Sequence, residues 1–150
     1  MKHYRKISNK PLGELLVERG IISHEQLEAA LQHQKKHGGL LGEIFVELKA
    51  ATEKDIAQAI TAQYGFPYLP LLNYEIEAEV IKAVPENLCR KHALIPIDKI
   101  GKSLTLAMAN PLNLTAIEDV ELISGCTVQM FVSKTSDIRE AIDRYYKPKS

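Results

Sequence analysis

The chain has 150 residues, enough for one compact domain or two small ones, and its ordinary composition argues against disordered and low-complexity proteins. Its 19 basic and 19 acidic residues cancel, so the net charge predicts no DNA or RNA partner. No apolar run approaches the roughly 18 residues of a membrane span, and no signal-peptide core follows Met1. Two cysteines cannot form a disulfide framework, so we expect a protein of the reducing cytoplasm.

An internal repeat occupies the first part of the chain. Residues 11–34 align with residues 40–63 without a gap, at an offset of 29, and seven of the 24 positions are identical. The identities include a Leu-Gly-Glu opening and a closing glutamine. Agreement in this order is poorly explained by chance, so we interpret the two motifs as copies of one unit.

The first helix of each copy is predicted to run from the Leu-Gly pair to Glu18 or Glu47. In copy one, Gly20 stands where a left-handed residue is needed to end the helix, whereas copy two has Lys49. The glycine of the Leu-Gly pair has two interpretations. It leaves backbone N–H groups that an anion can approach, or it permits close packing between helices.

The second helix of each copy carries an apolar stripe with a polar end. It is predicted to begin after a capping-box residue, Ser23 or Thr52. At positions i, i+3 and i+4 the stripe reads Leu27, Ala30 and Leu31 in copy one, and Ile56, Ala59 and Ile60 in copy two. At i+7 both copies have a glutamine, Gln34 or Gln63, which either bonds backbone or water at a helix end or meets a ligand.

The second part of the chain is predicted to begin after residue 66, within a connection rich in proline and aromatic residues. Helices are predicted at 76–84, 86–93, 114–124 and 136–146, and strands at 94–100, 103–109 and 126–132. The predicted fold class is therefore α+β. Residues 1–66 form a four-helix subdomain built from a duplicated helix pair, and residues 67–150 form a small three-stranded sheet with flanking helices.

Motifs that would indicate catalysis or metal binding are incomplete. Gly-Lys-Ser at 101–103 is similar to the end of a phosphate-binding loop, but a proline stands where the loop needs its first glycine, and a strand follows. His33 and His37 have the spacing of two metal ligands but lack a third, and Cys89 with His92 lacks an orienting acid. We predict no catalytic residues and no metal site, which disfavours an enzyme.

The doubled motif resembles the N-terminal domain of type II secretion and type IV pilus assembly ATPases. The resemblance rests on LGELLVERGIISHEQLEAALQHQ and LGEIFVELKAATEKDIAQAITAQ with their five-residue spacer. It continues through VPENLCRKHALIPI, SLTLAMANPLN and DVELISGCTVQMFVSKTSDIREAIDRYY, so it covers residues from about 11 to 146.

The resemblance implies a regulatory domain that docks a motor onto the cytoplasmic domain of an inner-membrane assembly protein, with an ATPase core in cis or in trans. It implies no cofactor, but one branch of the family binds cyclic di-GMP through the doubled motif. Transferred position by position, the nucleotide-binding residues are Leu12, Gly13, Leu27, Leu31, Gln34, Leu41, Gly42, Ile56, Ile60 and Gln63. The Leu and Ile side chains would line the ligand, the Leu-Gly backbone would approach it, and the glutamines would hydrogen-bond it.

The chain departs from the ligand-binding pattern at the positions where that pattern has a charged or polar residue. The binding branch opens each motif with arginine or a similar polar residue, whereas this chain has Pro11 and Leu40, which cannot pair with phosphate. Lys10 stands one residue early, and the glycine of copy one is replaced by Lys49 in copy two. A domain of the same fold that only docks protein, with a decayed nucleotide site, is therefore the alternative.

Overall fold

The computed structural model describes residues 12–146 and shows the predicted α+β class. Within these residues the chain forms eight helices and three strands: α1 (Leu12–Glu18), α2 (His24–His37), α3 (Leu41–Glu47), α4 (Glu53–Tyr64), α5 (Ala78–Ile81), α6 (Glu86–His92), β1 (Leu94–Ile100), β2 (Ser103–Met108), α7 (Leu114–Ser124), β3 (Thr127–Val132) and α8 (Thr135–Tyr145). No helix in the described range has both the length and the apolar character needed to cross a bilayer. Lys10 and Pro11 lie outside the described residues.

The two motifs fold alike, down to individual hydrogen bonds. At the end of α1, the N–H groups of Gly20 and Ile21 donate to the carbonyls of Val17 and Leu16 at 3.0 and 2.9 Å. The same two bonds recur 29 residues later around Lys49, at 3.0 and 2.8 Å. Both helices therefore end in a Schellman motif, in which two otherwise unpaired carbonyls receive donors.

Capping boxes start the second helix of both copies. The N–H of Gln26 donates to Ser23 Oγ at 3.1 Å, and Gln26 Oε1 accepts from the N–H of Ser23 at 2.9 Å. Thr52 and Asp55 make the equivalent bonds at 3.0 and 3.1 Å. Each box satisfies two N–H groups at a helix start, and both were predicted from spacing alone.

The sheet has the order β1-β2-β3. Strands β1 and β2 form an antiparallel hairpin in which Ile100 pairs with Ser103, and β3 runs parallel to β2 after the crossover through α7. The predicted connection lies along β3, because Tyr68 forms a parallel bridge with Val132. The N–H of Val132 donates to the carbonyl of Pro67 at 2.9 Å, which fixes this segment against the strand.

Two apolar clusters form the core. One surrounds the sheet and includes Leu94, Leu104, Leu106, Ile117 and Ile138, and the other lies among α1–α4 and includes Leu15, Leu16, Phe45 and Ile60. Leu112 and Val132 belong to the helical cluster, and Phe66 packs against both clusters. We propose that the division at residue 66 separates two subdomains that share these contacts.

The predicted helix over 76–84 is wrong in length, since only Ala78–Ile81 is helical. The N–H of Ile76 donates to the hydroxyl of Tyr145 at 3.0 Å, and that hydroxyl donates to the carbonyl of Tyr74 at 3.1 Å. These bonds to α8 hold residues 74–76 outside the helix. Elsewhere the predicted ends shift by one residue: β2 ends at Met108, β3 begins at Thr127, α6 ends at His92, and α8 spans Thr135–Tyr145.

Candidate functional site

A cavity of about 170 Å³ lies where both motif copies meet the second part of the chain. Leu12 and Gln34 line it from copy one, and Leu41, Gly42 and Ile56 line it from copy two. Its other walls are formed by Leu40, Glu43, Glu53, Ala57, His92, Ala109, Asn110, Asn113, Ser133, Lys134 and Thr135. We call it the motif cavity, because five of the ten residues predicted to bind nucleotide border it.

The other predicted residues lie away from the motif cavity. Gly13 and Ile60 are buried, Leu27 is half-buried, and Leu31 and Gln63 are exposed. Leu31 is 38% exposed although the equivalent Ile60 is 0% exposed, because α4 packs against β3 whereas α2 packs on α3. The repeat is therefore symmetric in its backbone but not in its surroundings.

The two Leu-Gly pairs differ in how closely a neighbouring side chain packs against the glycine. A Cβ added to Gly13 would lie 2.5 Å from Leu27 Cδ1, so copy one follows the close-packing interpretation. A Cβ added to Gly42 would lie 3.5 Å from Leu12 Cδ2, an ordinary contact distance. Packing alone therefore does not require glycine at position 42, where the residue borders the motif cavity.

Both glutamines already make one hydrogen bond within the chain. Gln34 Nε2 donates to the carbonyl of Gly39 at 3.0 Å, which fastens the spacer between the copies. Gln63 Oε1 accepts from Arg19 Nη1 at 3.1 Å and links the end of α4 to the end of α1. Each amide retains a second polar atom, so these bonds are compatible with the predicted contact to a ligand.

Two carboxylates at the motif cavity are bound to α8. Glu43 Oε1 and Oε2 accept from Arg139 Nη2 and Nε at 2.8 and 3.1 Å. Glu53 Oε1 accepts from the N–H and the hydroxyl of Ser136 at 2.9 and 3.0 Å. The first is a two-pronged arginine–carboxylate pair, and the second places negative charge at the start of a helix, where it is stabilised.

Lys134 contributes positive charge that no carboxylate of the described residues pairs with. His92, unlike Lys134, has a carboxylate partner: its Nε2 lies 3.3 Å from Asp119 Oδ2. Sequence reasoning placed neither residue at this cavity, because both lie far along the chain from the doubled motif. Lys134 carried a signal, however: it stands at the N-cap of α8, where Ser, Thr, Asp or Asn is preferred, and makes no capping bond there.

The motif cavity combines apolar side chains and amides with one lysine, one histidine and two carboxylates that are already bound to α8. Within residues 12–146, no three His, Cys, Asp or Glu side chains come together as metal ligands. Small-molecule pockets usually measure about 300–1,000 Å³. At about 170 Å³ the motif cavity lies below this range.

Comparisons with known proteins agree with this architecture. Residues 64–150 match the family model of the MshEN domain. The type IV pilus assembly ATPase PilB of Myxococcus xanthus is 37% identical over 138 residues, which are 92% of this chain and 24% of that protein. PilB of Thermus thermophilus is 34% identical over 142 residues, 93% of this chain and 16% of that protein. The chain thus spans a quarter or less of these relatives.

Solved structures show the same fold over nearly the whole chain. The structure of MshE with cdg is 30% identical, covers 91% of this chain and 99% of that one, and has a TM-score of 0.67. The N-terminal domain of XpsE is 21% identical, covers 92% and 95%, and has a TM-score of 0.71. Taken with the family match, these likenesses show that the chain belongs to the MshEN domain family and is homologous to the N-terminal regions of PilB ATPases.

Proposed function

We propose that this chain is a non-catalytic regulatory and docking domain of the type IV pilus or type II secretion ATPase kind, and that its doubled motif binds cyclic di-GMP. The observation that carries the proposal is the motif cavity, where residues of both copies meet. The 30% identity to MshE, whose structure was solved with cdg, supports the choice of ligand.

The walls of the motif cavity suit a guanine base. Leu12 and Ile56 supply apolar surface and are 4% and 7% exposed. Gly42 borders the motif cavity without a side chain, so a ligand can approach its backbone there, beside Leu12. Guanine presents both donors and acceptors on its edges, and the Oε1 of Gln34 can accept from such a donor.

Leu40 explains why we expect this affinity to be low. It borders the motif cavity at the opening position of copy two, where an arginine would reach a phosphate. Leu40→Arg should strengthen binding of cyclic di-GMP by about one to two orders of magnitude, since one charge-assisted hydrogen bond contributes about 1.5–3 kcal/mol before ordering costs. Gln34→Ala should weaken whatever binding exists.

Calorimetry with cyclic di-GMP tests the proposal on the wild type, Leu40→Arg and Gln34→Ala. Leu48→Arg is the matched control, because Leu48 is 42% exposed in the same copy and does not border the motif cavity. Binding that improves with Leu40→Arg but not with Leu48→Arg supports the site. A folded Leu40→Arg variant that binds nothing would favour the alternative, a domain that docks protein alone.

The docking role is proposed from the relatives, which are ATPases of pilus assembly and secretion systems. We propose an ATPase core, in cis or in trans, as one partner and the cytoplasmic domain of an inner-membrane assembly protein as the other. The domain would then work in the cytoplasm at the inner membrane. Co-purification with either partner, lost when surface residues of this chain are changed, measures the interaction.

We also propose that the domain does not hydrolyse ATP. The tripeptide at 101–103 forms the turn of the β1–β2 hairpin, with Gly101 at a φ of 59° and Ser103 at the start of β2. A phosphate-binding loop instead leads into a helix, whose N–H groups hold the phosphates. Magnesium-dependent ATP turnover that Lys102→Ala abolishes would contradict this part of the proposal.

A further inference from the structure

A second cavity, of about 390 Å³, lies between α4 and the junction of β3 with α8. Six residues line it: Lys54, Ala57, Gln58, Thr61, Tyr68 and Lys134. We call it the lysine cavity. Its lining contains two lysines and no acidic residue, and none of the ten residues predicted to bind nucleotide borders it.

The backbone holds the two sides of this cavity in register. Tyr68 bridges Val132, and Lys134 follows Val132 by two residues, so the tyrosine and the lysine are brought to one place. Lys134 begins α8, since its carbonyl accepts from the N–H of Ile138 at 3.0 Å. Tyr68 remains 41% exposed, so part of its ring is available to a ligand.

Both lysines occupy positions that disfavour a cation. Lys54 lies in the first turn of α4, and Lys134 is the N-cap of α8 without a capping bond. The start of a helix carries partial positive charge and prefers acidic side chains, or short polar ones at the cap. Two such departures that converge on one cavity are of the kind that proteins retain at functional sites.

Copy one provides an internal comparison. At the offset of 29, Lys54 corresponds to Glu25 and Ala57 corresponds to Glu28. The same helix face therefore has two carboxylates in copy one and an ammonium in copy two. The reversal of charge occurs in the copy whose helix lines the lysine cavity.

The acids nearest Lys54 along α4 do not neutralise it. Glu53 is bound to Ser136, and Asp55 Oδ2 accepts from the N–H of Thr52 at 3.1 Å. Neither residue borders the lysine cavity. Among the described residues no carboxylate forms an ion pair with Lys54 or Lys134, although Glu53 and Asp55 lie near both lysines.

We propose that the lysine cavity binds a phosphate-bearing ligand with a flat ring, the chemistry of a nucleoside monophosphate. The phosphate lies between the ammonium groups of Lys54 and Lys134, and the ring stacks on Tyr68. The amide of Gln58 adds a polar contact beside the ring. The cavity volume falls within the usual range of about 300–1,000 Å³ for small-molecule sites. The site adjoins the motif cavity and shares Ala57 and Lys134 with it, but it contains none of the ten residues predicted to bind nucleotide.

Amide chemical shifts of the ¹⁵N-labelled chain, titrated with AMP, adenosine and inorganic phosphate, test this proposal. AMP should shift the signals of the lining residues, and adenosine and phosphate should each bind at least about tenfold more weakly, because each supplies half of the contacts. Lys54→Gln and Lys134→Gln should each weaken AMP about tenfold. Lys54→Glu, which installs the residue of copy one, should abolish binding.

Lys35→Gln is the matched control, because Lys35 is exposed near the end of α2 and does not border the lysine cavity. It should leave AMP binding unchanged, and dispersed spectra show that every variant is folded. The proposal would be overturned if millimolar AMP caused no chemical-shift changes at the lining residues. It would also be overturned if AMP bound and neither lysine substitution weakened that binding. A separate titration with cyclic di-GMP, followed at Gln34 and Gly42, reports on the motif cavity. Of the two cavities, Lys54, Gln58 and Thr61 line only the lysine cavity, so the two proposals can fail independently.

Discussion

Gly20 and Lys49 adopt the same left-handed backbone conformation in the two copies, with φ of 74° and 61°. Both lie at the same step of a Schellman motif, with matching hydrogen bonds. Glycine adopts this conformation freely, whereas a residue with a Cβ pays roughly 1–2 kcal/mol. Copy two therefore keeps the turn although its sequence has lost the residue that suits it.

Lys49→Gly should stabilise the chain by about 0.5–1 kcal/mol, since the relief of backbone strain exceeds the added flexibility of the unfolded state. Urea unfolding measures the change as a higher midpoint with the same slope. Lys49→Ala is the control, because it removes the same side chain and keeps the Cβ. Equal gains from both variants would show that the side chain, rather than the backbone, is responsible.

Gly13→Ala should be less favourable than Gly42→Ala by about 1 kcal/mol. Alanine gains about 1 kcal/mol of helix propensity over glycine at either site, but at position 13 its Cβ must displace Leu27. At position 42 the Cβ meets an ordinary contact. Thermal unfolding of the two variants gives the difference, and equal stabilities would contradict the close-packing explanation for Gly13.

Arg139→Lys should destabilise the chain by about 1–2 kcal/mol, because lysine cannot reproduce the two-pronged bond to Glu43. It would also lose the bond from Arg139 Nη1 to the carbonyl of Arg90, which joins α8 to α6. A double-mutant cycle with Glu43→Gln measures the coupling. Additive effects would mean that the pair contributes little beyond its separate parts.

The free energy of unfolding should fall as the pH rises from about 9 to about 11, because the thiol of Cys89 ionises over this range. Burial raises the pKa of this thiol from 9.0 to about 11. The stability that the protonated thiol contributes is therefore complete below pH 9. It is lost as the pH rises through 11, because the thiol of the unfolded chain releases its proton at a lower pH than the thiol of the folded chain. The loss is about 2–3 kcal/mol. Burial also raises the pKa of Tyr146, whose hydroxyl contacts the Cys89 thiol at 3.3 Å.

Urea unfolding at pH 8, 9.5 and 11 isolates the thiol when the wild type is compared with Cys89→Ala. The variant lacks the titrating thiol and should lose less stability over this range. All six tyrosines are common to both proteins. Parallel losses would assign the pH dependence to groups other than Cys89.

Helix caps and turn residues in the sequence correctly predicted the helices and strands that they begin or end. The helix over 114–124 has both bounds as predicted, since Asn113 caps its start and Gly125 ends it with a φ of 70°. The strand at 94–100 is also confirmed, because the hairpin turn fixes its end. The prediction of a helix over 76–84 was wrong in length because Tyr145, far along the chain, hydrogen-bonds to residues 74 and 76. The local spacing of apolar residues contains no information about such a contact.

The candidate site was predictable only in part. The repeat identified residues by their position within each motif, yet equivalent residues have different neighbours: Leu31 is exposed and Ile60 is in the core. The motif supplied one side of the cavity, whereas His92 and Lys134 come from the second part of the chain. Which residues bind a ligand stays a prediction until affinities are measured.

The two carboxylates that join the helical part to α8, Glu43 and Glu53, both belong to copy two. Copy one contacts copy two through Leu12 beside Gly42 and through the bond from Arg19 to Gln63. Copy one also packs on copy two through α2 and α3, and the four helices share one apolar core. Loss of either carboxylate bond would therefore weaken the attachment of the whole helical part to α8 rather than that of one copy.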